Sequence, residues 1–136
     1  MNKFLYHKDG TGLPYEPGVE WVFVFGSNTA GRHGGGAARA AVISYGAQYG
    51  NGFGRQGLSY ALPTKDDNID TLPLREVKYH VDKFIEYAKA NPECMFFVTR
   101  VGCVLAGYND ADIAPMFKDA PSNCSFAEGW KKYLES

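Results

Sequence analysis

Apolar positions fall along the chain in three kinds of pattern. Trp21-Val22-Phe23-Val24-Phe25 and Met95-Phe96-Phe97-Val98-Thr99 are almost unbroken runs of β-branched and aromatic residues. Runs without polar alternation predict strands buried on both faces, as in a parallel sheet covered by helices. Leu58-Ser59-Tyr60-Ala61-Leu62 alternates instead, and predicts a strand that stops at Pro63. From 74 to 90 the apolar residues Leu74, Val77, Val81, Phe84, Ile85 and Ala88 recur at three and four, with Lys, Arg, Glu and Asp between them. That spacing predicts an amphipathic helix, and Pro92 lies just past its end.

Weaker patterns fill the rest. Phe4-Leu5-Tyr6 predicts a short edge strand, and 9–18 is turn chemistry. An alanine-rich helix is expected over 36–45, with Ala37, Ala40, Ala41 and Ile43 or Ser44 on its apolar face. Asn109 or Asp110 caps a short helix through Phe117, residues 122–126 form a last strand, and 128–134 make terminal helical turns. Residues 46–57, carrying Gly46, Gly50, Gly52, Gly54 and Gly57, read as a long surface loop. Strand, loop and helix thus recur about three times. This predicts one α/β domain over 1–136, in three α/β/α layers, with a mostly parallel central sheet. Ligands of such sheets bind beyond the C-terminal ends of the strands, where loops 26–36, 63–68 and 102–108 fall.

Composition narrows the chemistry. The net charge is −1, so no overall basic character recruits nucleic acid or an anionic membrane. Cys94, Cys103 and Cys124 are odd in number and widely spaced, which suits a reducing compartment and neither a disulfide framework nor a zinc site. No signal-like N-terminus or membrane-length apolar run is present, and a cytoplasmic protein without metal, cofactor or membrane partner is expected.

The 22–45 stretch carries the strongest chemical signal. Five glycines fall within the eleven residues from Gly26 to Gly36, between a buried strand and a helix. Glycine is costly to order, and a glycine loop opening a helix suits an anion, above all a phosphate. Gly26 and Gly31 have part of the P-loop spacing, but Arg32 and His33 stand where Lys and Ser/Thr are required, which excludes a nucleoside triphosphatase. Gly52-Phe53-Gly54-Arg55-Gln56-Gly57 matches the dinucleotide glycine pattern but precedes a strand, and serves to shape a loop. His33 reads as a solvated loop residue, Cys103 as a small residue under its loop, and Asp110 and Asp112 as helix caps. Lys65 leaves a strand end where the pocket is expected. It is either solvated or a Schiff-base nucleophile toward a sugar. Tyr108 and Phe53 are candidates to stack on a base or ribose.

Three segments together resemble the macro domain family of ADP-ribose-binding modules. They are Asn28 followed after six residues by Gly35-Gly36-Ala37-Ala38-Arg39-Ala40; Ser59-Tyr60-Ala61-Leu62-Pro63-Thr64-Lys65; and the run from Thr99 to Tyr108, which contains Gly102-Cys103-Val104-Leu105. The likeness spans residues 20–118 and is greatest to the branch of terminal ADP-ribose glycohydrolases and DNA ADP-ribose-removing antitoxins, and to small macro-like proteins of phages and bacteria. The resemblance implies a macro-type fold that binds ADP-ribose or a related NAD-derived nucleotide, free or carried on protein or nucleic acid. It implies ligand contacts from Gly26, Ser27, Asn28, Gly34, Gly35, Gly36 and Ala37, and from Gly102, Cys103, Val104, Leu105, Ala106, Gly107 and Tyr108. In that family the Asn28 position meets the distal ribose. In an ADP-ribosyl hydrolase, Lys65 and Asn28 are the residues expected to act. The chain departs from the branch at Ala106, where its acid stands, and at Val104, which replaces a glycine. A domain that kept the fold for protein interaction and lost the ligand is the remaining reading.

Overall fold

The computed structural model describes residues 3–103 and 105–135. Six strands form one sheet: β1 (Leu5–His7), β2 (Glu20–Asn28), β3 (Gly54–Gln56), β4 (Ser59–Lys65), β5 (Cys94–Val98) and β6 (Cys124–Ala127). Their order across the sheet is β1-β6-β5-β2-β4-β3, all parallel except β3 against β4. Helix α1 (Gly36–Ser44) covers one face and α2 (Leu74–Ala90) the other. Two short helices follow, α3 (Asp110–Ile113) and α4 (Lys131–Leu134), each preceded or followed by a 3-10 turn. The expected α/β architecture with a mostly parallel sheet is the observed one.

The uninterrupted apolar run of β2 supplies both layers. Val22 and Val24 point to α2, where Val77, Val81, Phe84, Ile85 and Ala88 form the buried stripe anticipated from spacing. Phe84 packs edge-on to Phe96 at 5.5 Å and near Phe117 at 6.1 Å, and Phe117 meets Phe126 and Trp130. Trp21, Phe23 and Phe25 point the other way, to Ala38 and Ala41 of α1. Each fully buried Val or Phe among these contributes about 1.5–3 kcal/mol by leaving water.

Three expectations need correction. Residues 46–57 are not all loop, because Gly54–Gln56 pairs with β4. β4 does not stop at Pro63 but runs to Lys65. β3 pairs only as far as Ala61, so β4 is an edge at Pro63, where a missing N–H costs no ladder bond. A register shift against β2 lets Thr64 fall between the pairs Ser27–Pro63 and Asn28–Lys65. The face of α1 is also turned from the expected one. Ala38 and Ala41 are buried, Ala40 and Ile43 are exposed, and Ala37 is half-buried. No helix among the described residues is long and apolar enough to cross a membrane.

Candidate functional site

A cleft of about 560 Å³ opens at the C-terminal ends of the parallel strands. Its lining includes His7 of β1, Phe97 and Thr99 at the end of β5, Gly26 to Asn28 of β2 and Thr64 and Lys65 of β4. From β1 to β4 is four strand spacings, about 19 Å. The cleft is therefore elongated, with two ends and a middle.

The middle is backbone. Gly34, Gly35 and Gly36 meet it from the start of α1, and Gly102, Leu105 and Ala106 meet it from the facing loop. Gly35 occupies the N-cap position of α1, and no side chain caps the helix or places a carboxylate in its first turn. The first N–H groups of a helix have no acceptor within it, and they carry its partial positive charge. A Cβ on Gly34 or Gly35 would meet nothing among the described residues within 4 Å, so their packing does not demand glycine there. At Gly36 it does: φ is +57°, and a Cβ would lie 3.0 Å from Cδ1 of Leu105. Leu105 thus leans across the cleft to the start of α1. Gly26 forms the floor, where a Cβ would stand 3.6 Å from the Gly102 nitrogen.

The β1 end is aromatic with one carboxylate. The His7 ring stacks on Phe97 at 3.7 Å between centroids, and its Nδ1 lies 2.8 Å from Ser125 Oγ. Burial lowers the His7 pKa to about 4, against the opposing pull of Asp9. The ring is neutral at physiological pH. Asp9 and Thr11 follow on the chain and line the same end. Arg100 reaches Asp9 through Nη1 at 3.4 Å and grips Asp110 with Nε at 2.9 Å and Nη2 at 3.0 Å. Burial alone would raise the Asp110 carboxyl, but the Arg100 guanidinium and the Trp130 N–H, 2.7 Å away, hold it below its usual value. Asp110 is thus a clamp for Arg100 as well as the first residue of α3, a role its sequence context as a capping residue did not suggest. Asn109 and Asp112 form the capping box.

The β4 end is polar. Asn28 is buried, and its carboxamide closes on the backbone of Arg32: Nδ2 donates to the Arg32 carbonyl and Oδ1 accepts from the Arg32 N–H, both at 2.9 Å. One amide hydrogen and one lone pair remain for other partners. Lys65 is half-buried in the lining beside Thr64 and Ile69 and makes no ion pair among the described residues. Among the described lining residues, Arg100 is already paired with Asp9 and Asp110, which leaves Arg32 and Lys65 as cations that make no ion pair there.

Comparison with solved structures finds a likeness to Thermosipho africanus DarTG in complex with ADP-ribose, with a TM-score of 0.61, 14% sequence identity and 88% of this chain covered. The fold is of the macro type. At that identity it is the fold that the two share, and this chain spans 43% of the length of the other. No protein-family model and no curated protein matches the sequence.

Within the macro-type fold, eleven of the expected residues line the cleft together: Gly26, Ser27, Asn28, Gly34, Gly35, Gly36, Ala37, Lys65, Gly102, Leu105 and Ala106. Val104 lies outside the described residues. Cys103, Gly107 and Tyr108 are not in the lining. The Cys103 thiol is pushed up to about 12 by burial and by Asp110, which removes thiolate chemistry at neutral pH. Tyr108 packs against the core, and its OH donates to the Leu72 carbonyl at 2.6 Å, so it braces its loop and does not face a base. Phe53 lies outside the cleft, 5.8 Å from the His80 ring.

His33 is not solvated but buried, edge-on to Phe25 at 5.2 Å. Its Nε2 lies 2.8 Å from the Asn51 carbonyl and donates to it, and Nδ1 has no partner among the described residues. Ser27 Oγ likewise donates to the Gly52 carbonyl at 2.6 Å, and Gly50 N–H to the Gly31 carbonyl at 2.8 Å. A Cβ on Gly31 or Gly52 would collide with this backbone at 2.3 or 2.1 Å. The 46–57 segment is therefore a prop beneath the first glycine loop and lends nothing to the cleft itself. The residues that sequence reasoning missed are His7, Asp9, Arg100 and Ile69. The turn run at 9–12 was visible, but nothing local tied it to a site.

Proposed function

We propose that the protein binds ADP-ribose or a related NAD-derived nucleotide, laid along the cleft with its diphosphate over the start of α1. The carrying observation is the bare backbone at the middle: Gly34 and Gly35 stand where no packing among the described residues requires glycine, at an uncapped helix N-terminus, in a cleft lined from β1 to β4, four strand spacings or about 19 Å apart. The two ends suit the two ends of such a ligand. Asp9 is an acceptor for the exocyclic amine of adenine beside the His7–Phe97 stack. Asn28, Thr64 and Lys65 offer donors and acceptors to a sugar. Arg32 and Lys65, which make no ion pair among the described residues, complement two phosphate charges. The macro-type fold, shared with a protein solved with ADP-ribose, supports the same ligand.

Removal of ADP-ribose from protein or nucleic acid is the second reading, favoured by Lys65 in the cleft lining, which makes no ion pair among the described residues. The Lys65 amine would displace the linked group from the anomeric carbon with loss of a proton. The ribose ring of the resulting glycosylamine would open by breaking its C1–O bond to give an imine, and water would hydrolyse that imine to free the lysine. Asp9, the one carboxylate of the described lining, is at the opposite end, and Ala106 has no proton to give, so leaving-group protonation falls to water. Plain binding therefore leads. Calorimetry with ADP-ribose, followed by turnover assays on ADP-ribosylated protein and DNA with wild type and Lys65→Ala, separates the two. Saturable one-to-one heat with no turnover in either form supports the reader. Turnover lost in Lys65→Ala supports the hydrolase. Neither heat nor thermal shift at millimolar ADP-ribose refutes both and leaves a ligand-free interaction domain.

A further inference from the structure

Ile69 is the one non-glycine among the described residues with a positive φ, at +64°. The left-handed region crowds any Cβ, and a β-branched side chain suffers most there. The turn that imposes it is built by Asp66, whose Oδ1 accepts from the N–H groups of Asn68 at 2.8 Å and Asp70 at 3.0 Å. The Ile69 N–H donates back to the Asp66 carbonyl at 3.0 Å. Glycine or asparagine at 69 would satisfy the same turn without strain. Core packing does not explain the isoleucine either, since it is 39% exposed and belongs to neither buried cluster. What it does touch is the cleft, whose lining it joins four residues after Lys65, on a loop tied back to Lys65 through a bridge with Thr71. Strain held at a cleft rim points to use of the side chain there.

We infer that Ile69 is the specificity-determining cover of the β4 end of the cleft, packing its aliphatic surface on the C–H face of the second sugar of a nucleoside-diphosphate sugar. This rests on the nucleotide reading proposed above. The base end is fixed at β1 by His7 and Asp9, and the diphosphate in the middle by Gly34 to Gly36. A ligand that ends at its diphosphate therefore stops short of Ile69, whereas a second sugar lies beneath it. Lys65 beside it gains a drier surrounding when that sugar is bound.

The test compares ADP with ADP-ribose on wild type, Ile69→Gly and Ile69→Asn, with melting temperature measured for each. Both replacements accept the left-handed backbone, so neither lowers the melting temperature. ADP-ribose affinity falls about tenfold in both, the worth of part of an isoleucine side chain, while ADP affinity stays within about twofold. Equal losses for the two ligands, an undiminished affinity for ADP-ribose, or a clear drop in melting temperature in both variants overturns the assignment. Absence of any wild-type binding overturns the nucleotide reading and this inference together. Wild-type binding of ADP-ribose with unaltered variants overturns only the inference.

Discussion

Asn28 and Gly35 sit seven positions apart in one loop and do different work. Asn28 spends two hydrogen bonds on the Arg32 backbone in a buried place, so it shapes the loop before it meets any ligand. Gly35 has an ordinary extended backbone, with φ −153°, and open space where a side chain would go. Asn28→Ala should cost about 1–3 kcal/mol of stability by leaving the Arg32 groups unpaired, and weaken ADP-ribose binding with it. Gly35→Ala should keep or slightly raise the melting temperature, because it stiffens the unfolded chain, yet still weaken binding by crowding the anion. Denaturation and calorimetry on the same two variants read both effects. Loss of stability without loss of affinity in Gly35→Ala would assign that glycine to packing. The identity of these loop residues was legible in the sequence because glycine content is local. The division of labour between them was not, because it depends on which atoms lie within 4 Å in the folded chain.

At the scale of elements, legibility followed the range of the forces involved. α2 was readable to its ends because its stripe and polar face are spaced within one helix. β3 was not, because three residues become a strand only by pairing with β4. β1 was placed within a residue, but its partner, β6, is more than a hundred residues away, so its contribution to the site was invisible. Its anchoring also carries a pH dependence. His7 is held neutral, with a pKa of about 4 against an ordinary 6.5, by burial. The unfolded chain therefore takes up this proton first as pH falls. Stability from this group is complete above about pH 6.5 and declines down to about pH 4, where the folded form is protonated too. His80 on α2, also lowered by burial, acts in the same direction. Denaturant midpoints at pH 7.0 and pH 4.5 should differ in wild type and differ less in His7→Gln. An unchanged difference in that variant would take His7 out of the account.

Across the whole molecule, the sheet order brings remote segments to one rim. The chain enters β2, crosses by α1 to β4, and returns by α2 to β5 on the other side of β2, so the loops after β2 and β5 face each other at the centre. The Arg100–Asp9 pair then ties the N-terminal segment to that centre across 91 residues of sequence, and the Trp130–Asp110 bond ties in the C-terminal turn. This arrangement gathers Arg32 and Lys65 at one cleft of a chain of net charge −1, so the overall charge does not oppose an anionic small ligand there. The most direct measurement of the account is an amide chemical-shift titration of the full chain with ADP-ribose. Saturable shifts are predicted at 34–38 and at Gly102, Leu105 and Ala106, with smaller ones reaching Asp9 at one end and Lys65 at the other. Shifts confined to other surfaces, or none at millimolar ADP-ribose, would contradict it.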